Sequence, residues 1–227
     1  MDEKYILSEL ESKGFFIIKN YFSNEKCKEI INEMNIILKN NKDKVANTQS
    51  EGMGGDYRIY GTEKVSKNVN NYFNDPNLLK ILRQYSNIPI ISGTCLLGKL
   101  VKDKNIPLNS GGDWHRDSLI KQVKAICYLT DCSIKNGNFQ FIPNSTVADL
   151  GDNYGRRINN EQLQEILKTK EIANITGNAG DVILVDTSNI HRGNIIEEGE
   201  RMSLTTYYFK DEKEKQKFLP KVKNNCL

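Results

Sequence analysis

The chain is organised around two stretches, DWHRD at residues 113–117 and GDVILVDTSNIHRG at residues 180–193. Each stretch contains one of the two histidines in the sequence. In His115-x-Asp117 the side chains occupy positions i and i+2, so on an extended backbone they point to the same side. Two imidazoles and one carboxylate form the 2-His-1-carboxylate triad, which holds Fe(II) and leaves coordination positions open. The sequence therefore predicts that His115, Asp117 and His191 meet at one divalent metal ion.

Each part of this pattern has a simpler explanation when it is taken alone. A His-x-Asp pair arises readily by chance, and a lone histidine is more often a surface residue or a satisfied core residue than a ligand. Asp113 also lies two residues from His115 and is a competing ligand. Imidazole and carboxylate ligands suit Mn(II), Co(II) and Zn(II) as well as Fe(II). The joint pattern is much rarer, because it also requires the second histidine after a Gly-Asp strand and Arg201 shortly beyond it.

The composition is that of an ordinary globular protein, with 227 residues, 38% hydrophobic residues and 27% charged residues. A net charge of +3 is too small to indicate nucleic-acid binding, and no apolar run is long enough for a membrane span. The acidic N-terminus lacks the apolar region of a signal peptide. The five cysteines include no Cys-x-x-Cys pair, so we expect reduced, mostly buried thiols in a cytoplasmic protein.

Helical patterns come first in the chain and strand patterns follow. We expect helices at residues 3–13, after Ser23, and from Asp75-Pro76, and at 161–170 either a short helix or an excursion between strands. We expect strands at residues 15–18, 56–61, 90–102, 123–130, 139–142, 181–185 and 201–209. Asn136-Gly137 predicts a hairpin turn, and residues 210–227 predict a surface helix with a frayed end. Short strands separated by turns are typical of a sandwich or barrel.

Several of these segments resemble the phytanoyl-CoA dioxygenase family of Fe(II)/2-oxoglutarate-dependent oxygenases. The likeness is carried by the opening segment 10–20, by Trp114-His115-Arg116-Asp117, by the segment 136–145, and most closely by residues 180–201. The chain departs from the family at Asn144-Ser145-Thr146, where a non-ligand histidine is often found.

The resemblance implies an α+β, mainly β fold whose core is a double-stranded β-helix (a cupin-like jelly roll), with the N-terminal helices packed on one sheet. We expect one oxygenase domain over residues 1–227. Its helical part is expected at about 1–88, its jelly-roll core at about 89–210, and a charged tail follows.

The resemblance also implies Fe(II), 2-oxoglutarate as cosubstrate and O₂. His115, Asp117 and His191 would be catalytic residues and metal ligands, with Asp113, Ser118 and Asn189 as candidates to orient them. The planar guanidinium of Arg201 suits the distal carboxylate of 2-oxoglutarate, and Ser203 shares its strand face. Lys99 is a further candidate for the cosubstrate. The alternative for Arg201 is a surface salt bridge with a neighbouring glutamate, Glu198 or Glu200.

The substrate residues rest on weaker signals, and packing or solvent exposure competes with function at several of them. The candidates are Arg58, Tyr60, Trp114, Arg192 and Tyr207. A glycine-rich segment at 52–55 is a candidate lid. The polar segment 47–61 favours a small polar or carrier-linked metabolite as substrate, hydroxylated with release of succinate and CO₂. The alternatives are another cupin-like metalloenzyme, such as an isomerase or epimerase, and a non-enzymatic binding module with a degenerate site. No nucleic-acid or membrane partner is expected.

Overall fold

A computed structural model of the chain describes residues 2–47, 55–102 and 112–227. The helices of this part are α1 (Glu3–Lys13), α2 (Asn24–Asn40), α3 (Lys67–Phe73), α4 (Pro76–Ser86), α5 (Val147–Leu150), α6 (Asn160–Ile166) and α7 (Glu212–Val222). The strands are β1 (Phe15–Ile18), β2 (Ala46–Asn47), β3 (Asp56–Tyr60), β4 (Ser92–Val101), β5 (Val123–Tyr128), β6 (Phe139–Phe141), β7 (Ala173–Ile175), β8 (Val182–Asp186), β9 (His191–Gly193) and β10 (Glu200–Phe209).

The helix boundaries follow from capping residues that are visible in the sequence. The Ser23 side chain accepts a hydrogen bond from a backbone N–H of the first turn of α2, and Asp75 does the same for α4, which has Pro76 at its first position. α1 ends at Gly14, whose φ of 78° lies in the left-handed region that glycine adopts without strain. The predicted helices at 3–13, after Ser23 and from Asp75 are therefore present.

Two antiparallel sheets face each other and form the predicted jelly roll. The larger sheet has the strand order β1-β8-β5-β10-β4-β3-β2, and the smaller has the order β7-β6-β9. All named strand pairs are antiparallel. The N-terminal part of the chain contributes β1, β2 and β3 to the larger sheet, so its helices and the jelly-roll strands share one framework.

The larger sheet is buried on both faces. On its outer face, a cluster that includes Leu10, Ile30 and Leu82 packs against alternate strand residues such as Cys127. On its inner face, a second cluster fills one end of the space between the two sheets and includes Tyr128. The other end of that space stays open and is lined by polar side chains. The helices therefore support the larger sheet from behind, and the inner face remains available for a site.

Two local predictions differ from the structure. Asn136-Gly137 does form a turn, but it does not join a hairpin, because β5 belongs to the larger sheet and β6 to the smaller one. The C-terminal end is not frayed: the backbone N–H of Leu227 donates a hydrogen bond to Tyr60 O at 2.9 Å. That contact holds the end of the chain against β3.

Four of the cysteines are buried, Cys226 is partly exposed, and none forms a disulfide. In the described part of the chain, no helix combines the length and apolar character that a membrane crossing requires. The candidate lid glycines at 52–54 lie outside the described residues.

Candidate metal centre

The two histidines lie opposite each other and exchange backbone hydrogen bonds. The N–H of His115 donates to His191 O at 3.0 Å, and the N–H of His191 donates to His115 O at 2.8 Å. His191 is the first residue of β9, so this bridge adds His115 to the edge of the smaller sheet. The two imidazole ring centroids are 4.5 Å apart. Two histidines that are remote in sequence are thus brought together by sheet pairing.

Each imidazole is oriented by a backbone carbonyl two residues before it. His115 Nδ1 lies 2.7 Å from Asp113 O, and His191 Nδ1 lies 2.9 Å from Asn189 O. Since a carbonyl only accepts, each Nδ1 carries the proton and each Nε2 presents a lone pair. Both residues were predicted to orient the ligands, and they do so through main-chain oxygens.

Asp117 completes a compact cluster of possible ligand atoms. Its Oδ2 lies 3.5 Å from His191 Nε2, and its Oδ1 lies 3.9 Å from His115 Nε2. The three residues can offer ligand atoms that all lie within 4.8 Å of one another. A divalent ion at the centre of such a cluster is close enough to accept all three, so the residues present fit a metal ion.

The electrostatics of the cluster keep its groups in metal-binding form. Burial, with a smaller contribution from His191, lowers the pKa of His115 to about 4, so its imidazole is neutral at pH 7. Burial alone would raise the pKa of Asp117, but the nearby Lys124 ammonium and His191 hold it well below its usual range. A neutral imidazole and an ionised carboxylate are the forms that coordinate a cation.

Lys124 is a site residue that the sequence analysis did not identify. Its Nζ lies 2.6 Å from Asp117 Oδ2 and 3.9 Å from the centre of the Tyr207 ring. Lys124 shares one face of β5 with Ile126 and Tyr128, and this face lines the interior of the jelly roll. The sequence signal that could have identified Lys124 is the strand alternation that places it on the same face as Ile126 and Tyr128.

Arg116 is a second residue that the sequence analysis passed over. Its side chain is fully buried and donates hydrogen bonds to the backbone oxygens of Ser145, Tyr154 and Gly155. Asn189 Oδ1 accepts a bond from the Ser145 N–H at 2.8 Å. The two histidine-bearing segments are therefore tied to the same loop. Ser118 has no part in this network, since its hydroxyl accepts a bond from a neighbouring backbone N–H.

A cavity of about 170 Å³ opens beside the three clustered residues. Arg201, Ser203, Thr205 and Tyr207 line it from one face of β10, as the alternation along the strand predicts. The Nε of Arg201 is buried and has no hydrogen-bond partner.

The predicted alternative for Arg201 does not occur. Glu200 pairs with Lys99 at 3.1 Å, and Glu198 pairs with Lys135 at 3.8 Å. An unpartnered buried guanidinium N–H facing a cavity fits an anionic ligand such as a carboxylate.

Three of the candidate substrate residues lie at or next to this cavity. Arg58 lines it and forms an ion pair with Asp56, with Nη2 at 3.0 Å from Oδ2. Tyr207 lines it directly. Tyr60 does not line the cavity but packs against Tyr207, with the two ring centroids 5.8 Å apart.

Three other predicted residues lie outside the cavity. Lys99 points to the opposite face of β4, toward α2, because the register of β4 places Gly98 on the cavity side. Trp114 is buried in a hydrophobic cluster behind the smaller sheet. Arg192 covers the Trp114 ring at 4.7 Å and donates a hydrogen bond to Gln140. The packing alternative for Trp114 agrees with this placement.

Solved structures share the fold at low sequence identity. SnoN, a non-heme alpha-ketoglutarate-dependent epimerase from nogalamycin biosynthesis, is 13% identical with a TM-score of 0.72, covering 91% of this chain and 82% of that chain. HygX from Streptomyces hygroscopicus, solved with nickel, 2-oxoglutarate and hygromycin B, is 18% identical with a TM-score of 0.63, covering 90% and 86%. EctD from S. alaskensis, solved with bound Fe, is 16% identical with a TM-score of 0.71, covering 89% and 74%.

No curated protein matches the sequence significantly. The family model for phytanoyl-CoA dioxygenase (PhyH) matches residues 10–195, a range that includes His115, Asp117 and His191. With the jelly roll and the clustered ligand set, this match shows that the chain belongs to the phytanoyl-CoA dioxygenase (PhyH) family.

Proposed function

We propose that the protein is an Fe(II)- and 2-oxoglutarate-dependent oxygenase that acts on a small polar molecule. One observation carries the proposal: His115, Asp117 and His191 cluster within 4.8 Å at a cavity that also contains the unpartnered Nε of Arg201. A metal site alone would fit many enzymes. A metal site that shares a cavity with a buried guanidinium N–H that lacks a partner fits a metal together with an anionic cosubstrate.

In this proposal His115 and His191 bind iron through Nε2, since each Nδ1 is committed to a backbone carbonyl. Asp117 supplies the carboxylate ligand. Lys124 would keep its contact with Oδ2, and Oδ1 is the carboxylate oxygen without that contact. The family's halogenases lack this carboxylate, so Asp117 favours oxygen insertion over halogenation.

Arg201 binds the distal carboxylate of 2-oxoglutarate through paired N–H groups, and the Ser203 hydroxyl donates to the same carboxylate. When bound, Fe(II) and 2-oxoglutarate supply an oxidant from O₂, with release of succinate and CO₂. Arg201 lines the cavity with its Nε buried, so the distal carboxylate of the cosubstrate would be held away from bulk water.

The substrate side of the cavity is polar and small. Arg58, Asp56 and Tyr207 line it, which suits a substrate that carries hydrogen-bonding groups. Burial raises the pKa of Tyr207 to about 12, so at pH 7 its phenol is protonated and can donate a hydrogen bond to the substrate. Hydroxylation is the proposed outcome.

The proposal is tested by titrating the metal-free protein anaerobically with Fe(II) and 2-oxoglutarate, and then measuring succinate after O₂ is admitted. The titration is followed by the charge-transfer absorption of the complex of Fe(II) and 2-oxoglutarate. His191→Ala is expected to abolish both this absorption and succinate release. Arg201→Gln is expected to weaken 2-oxoglutarate binding at least about tenfold, since a charge-assisted pair contributes about 1.5–3 kcal/mol. Arg192→Gln is the matched control, because Arg192 lies outside the cavity. Wild-type protein that binds no 2-oxoglutarate in the presence of Fe(II) would refute the proposal.

A second outcome, 2-oxoglutarate-dependent isomerisation or ring closure, is favoured by two of the structural neighbours. SnoN is an epimerase and SnoK, with a TM-score of 0.70, is a carbocyclase, both alpha-ketoglutarate dependent. The two outcomes differ in the product. Hydroxylation adds one oxygen atom from isotope-labelled O₂, epimerisation leaves the mass of the substrate unchanged, and oxidative ring closure removes two hydrogen atoms. Mass spectrometry of the product decides between them.

A further inference from the structure

A second hollow lies beside the metal cavity, under the C-terminal helix α7. Its volume is about 100 Å³. Asp117, Lys124 and Tyr207 line both spaces, so the hollow begins at the carboxylate of the candidate metal ligand. Arg156 and Phe218 line the hollow but not the metal cavity, whereas Arg201 lines only the metal cavity.

The hollow lies at the opposite end of β10 from Arg201, the residue proposed to bind the distal carboxylate of the cosubstrate. Arg201 and Tyr207 are six positions apart on the same face of β10, which corresponds to about 20 Å along an extended strand. A molecule held by Arg201 at one end leaves the Tyr207 end free. The hollow is therefore placed to receive a different molecule, and the metal cluster lies beside both.

Arg156 brings a guanidinium group to the lining of the hollow. Its side chain is exposed, its Nε donates to Arg116 O at 3.3 Å, and no ion pair joins it to a carboxylate in the described part of the chain. Lys124 is already neutralised by Asp117 at 2.6 Å. Glu214 lines the hollow as well and stays charged, and its carboxylate accepts the backbone N–H of Lys210 just before α7. The terminal N–H groups of Arg156 remain available to a ligand.

The backbone that carries Arg156 is firmly held. Arg116 and Arg156 exchange bonds, because the Arg116 N–H donates to Arg156 O at 2.8 Å while Arg156 Nε donates back to Arg116 O. The Arg116 guanidinium also binds the carbonyls of Tyr154 and Gly155. A guanidinium on a fixed backbone loses less freedom on binding than one on a mobile loop.

The opposite wall of the hollow is aromatic. The Tyr207 and Phe218 rings lie 5.1 Å apart with planes inclined by 33°. Phe218 also packs against Tyr60 and Phe209. An aromatic wall next to an arginine matches a ligand with a ring or short apolar part joined to an oxyanion.

We propose that the hollow beneath α7 is the subsite for an anionic group of the primary substrate, a carboxylate, phosphate or sulfate bound by Arg156. The inference rests on the proposed oxygenase function and narrows its substrate to an anion with a ring or short apolar part against Tyr207 and Phe218. Arg156 is thereby a specificity-determining residue.

The test uses protein loaded with Mn(II) and saturating 2-oxoglutarate, and follows three probes by calorimetry. Benzoate and phenyl phosphate are the anions, and benzamide matches benzoate in shape without its charge. At least one anion is expected to bind about tenfold or more tightly than benzamide, from a charge-assisted bidentate contact. Comparison of benzoate with phenyl phosphate distinguishes a carboxylate from a phosphate subsite.

Arg156→Gln is expected to remove the preference for the anion. Arg157→Gln is the matched control, since it removes the same charge from the next residue, which does not line the hollow, and it should change binding by less than about twofold. Phe218→Ala should weaken benzoate and benzamide equally, by removing the shared aromatic wall.

Several results would overturn the inference: failure of both anions to bind, equal binding of benzamide, equal losses in the Arg156 and Arg157 variants, or displacement of benzoate by added 2-oxoglutarate. The wild-type comparison of charged and neutral probes needs no variant to fold. Titrations of Mn(II) and 2-oxoglutarate on the same samples report separately on the oxygenase proposal. If those fail, the probes are measured in metal-free protein and judge the subsite alone.

Discussion

Replacing Asp117 by alanine is expected to destabilise the metal-free protein, although removal of a catalytic ligand often stabilises a fold. Asp117 is the only carboxylate in the described residues that pairs with Lys124, whose side chain is 5% exposed. Without Asp117, the ammonium stays buried in the jelly roll with no counter-charge. The ligand carboxylate is thus also a structural partner when metal is absent.

The size of the effect follows from burial on the two sides of the pair. Breaking a fully buried ion pair costs about 3–5 kcal/mol. The Asp117 side chain is 25% exposed, so in the variant water can partly take the place of the lost carboxylate beside Lys124. Lys124 also keeps its contact with the Tyr207 ring, worth about 0.5–2 kcal/mol. We therefore expect Asp117→Ala to lower the free energy of unfolding by about 2–3 kcal/mol.

The measurement is a double-mutant cycle in urea with EDTA present. Asp117→Ala, Lys124→Met and the double variant are compared with the wild type, and the double variant is expected to recover most of the loss. Glu3 and Lys80 provide a matched control pair, with Nζ and Oε2 2.7 Å apart but side chains 31% and 61% exposed. That pair should couple by only about 0–1 kcal/mol.

Either of two results would refute the reasoning. If Asp117→Ala is as stable as the wild type while its urea dependence is unchanged, Lys124 is not confined as the structure describes. A coupling energy no larger than that of the exposed pair would have the same meaning.

Three further outcomes are expected. Mn(II) at a hundredfold excess over its Kd should stabilise the wild type by about 2.7 kcal/mol and leave His191→Ala unchanged, as read from thermal unfolding. Arg116→Leu should cost about 3 kcal/mol in urea unfolding, because it leaves buried carbonyls such as Ser145 O without donors. Burial alone would raise the pKa of Asp181, but the Lys19 ammonium and two backbone N–H groups lower it. Its stabilisation is thus present above the unfolded pKa of about 3.9 and lost as pH falls through the lower folded value, so the cost of Asp181→Asn, about 1–2 kcal/mol at pH 7, should shrink in acid.

Local signals predicted the helices well. Caps such as Ser23 and Asp75 act within one turn, so their effect can be read from adjacent residues. The clustering of the ligand set was also predictable, since His115 and Asp117 lie two residues apart and the second histidine follows a buried strand. What the sequence lacks is the pairing that brings the two segments together, because strand partners are set by contacts remote in sequence.

The face of a strand to which a side chain points explains why Lys99 was assigned to the cosubstrate site and why Lys124 was not identified. β4 carries two glycines and no alternation of polar and apolar residues, so its inward face cannot be read from sequence. Pairing with β10 settles the phase, because Gly98 lies opposite Ser203 while Lys99 lies opposite Met202 and faces outward. In β5 all six residues are buried, and burial alone does not identify the face that carries Lys124.

Arg201 is carried by the larger sheet, whereas the histidines lie at the edge of the smaller sheet and Arg156 lies in the loop bonded to Arg116, and this arrangement has a consequence for binding. The histidines are held at the edge of the smaller sheet, whereas Arg201 and Tyr207 lie toward opposite ends of one face of β10 in the larger sheet. A cosubstrate bound to Arg201 and an anionic substrate bound to Arg156 would approach the metal from opposite ends of that strand. Neither would block the other, because Arg201 and Tyr207 are about 20 Å apart along the strand. We therefore expect 2-oxoglutarate to leave the affinity for an anionic substrate unchanged or to raise it. If the two molecules instead compete for binding, both bind to the same cationic side chain and the assignment of two separate sites is wrong.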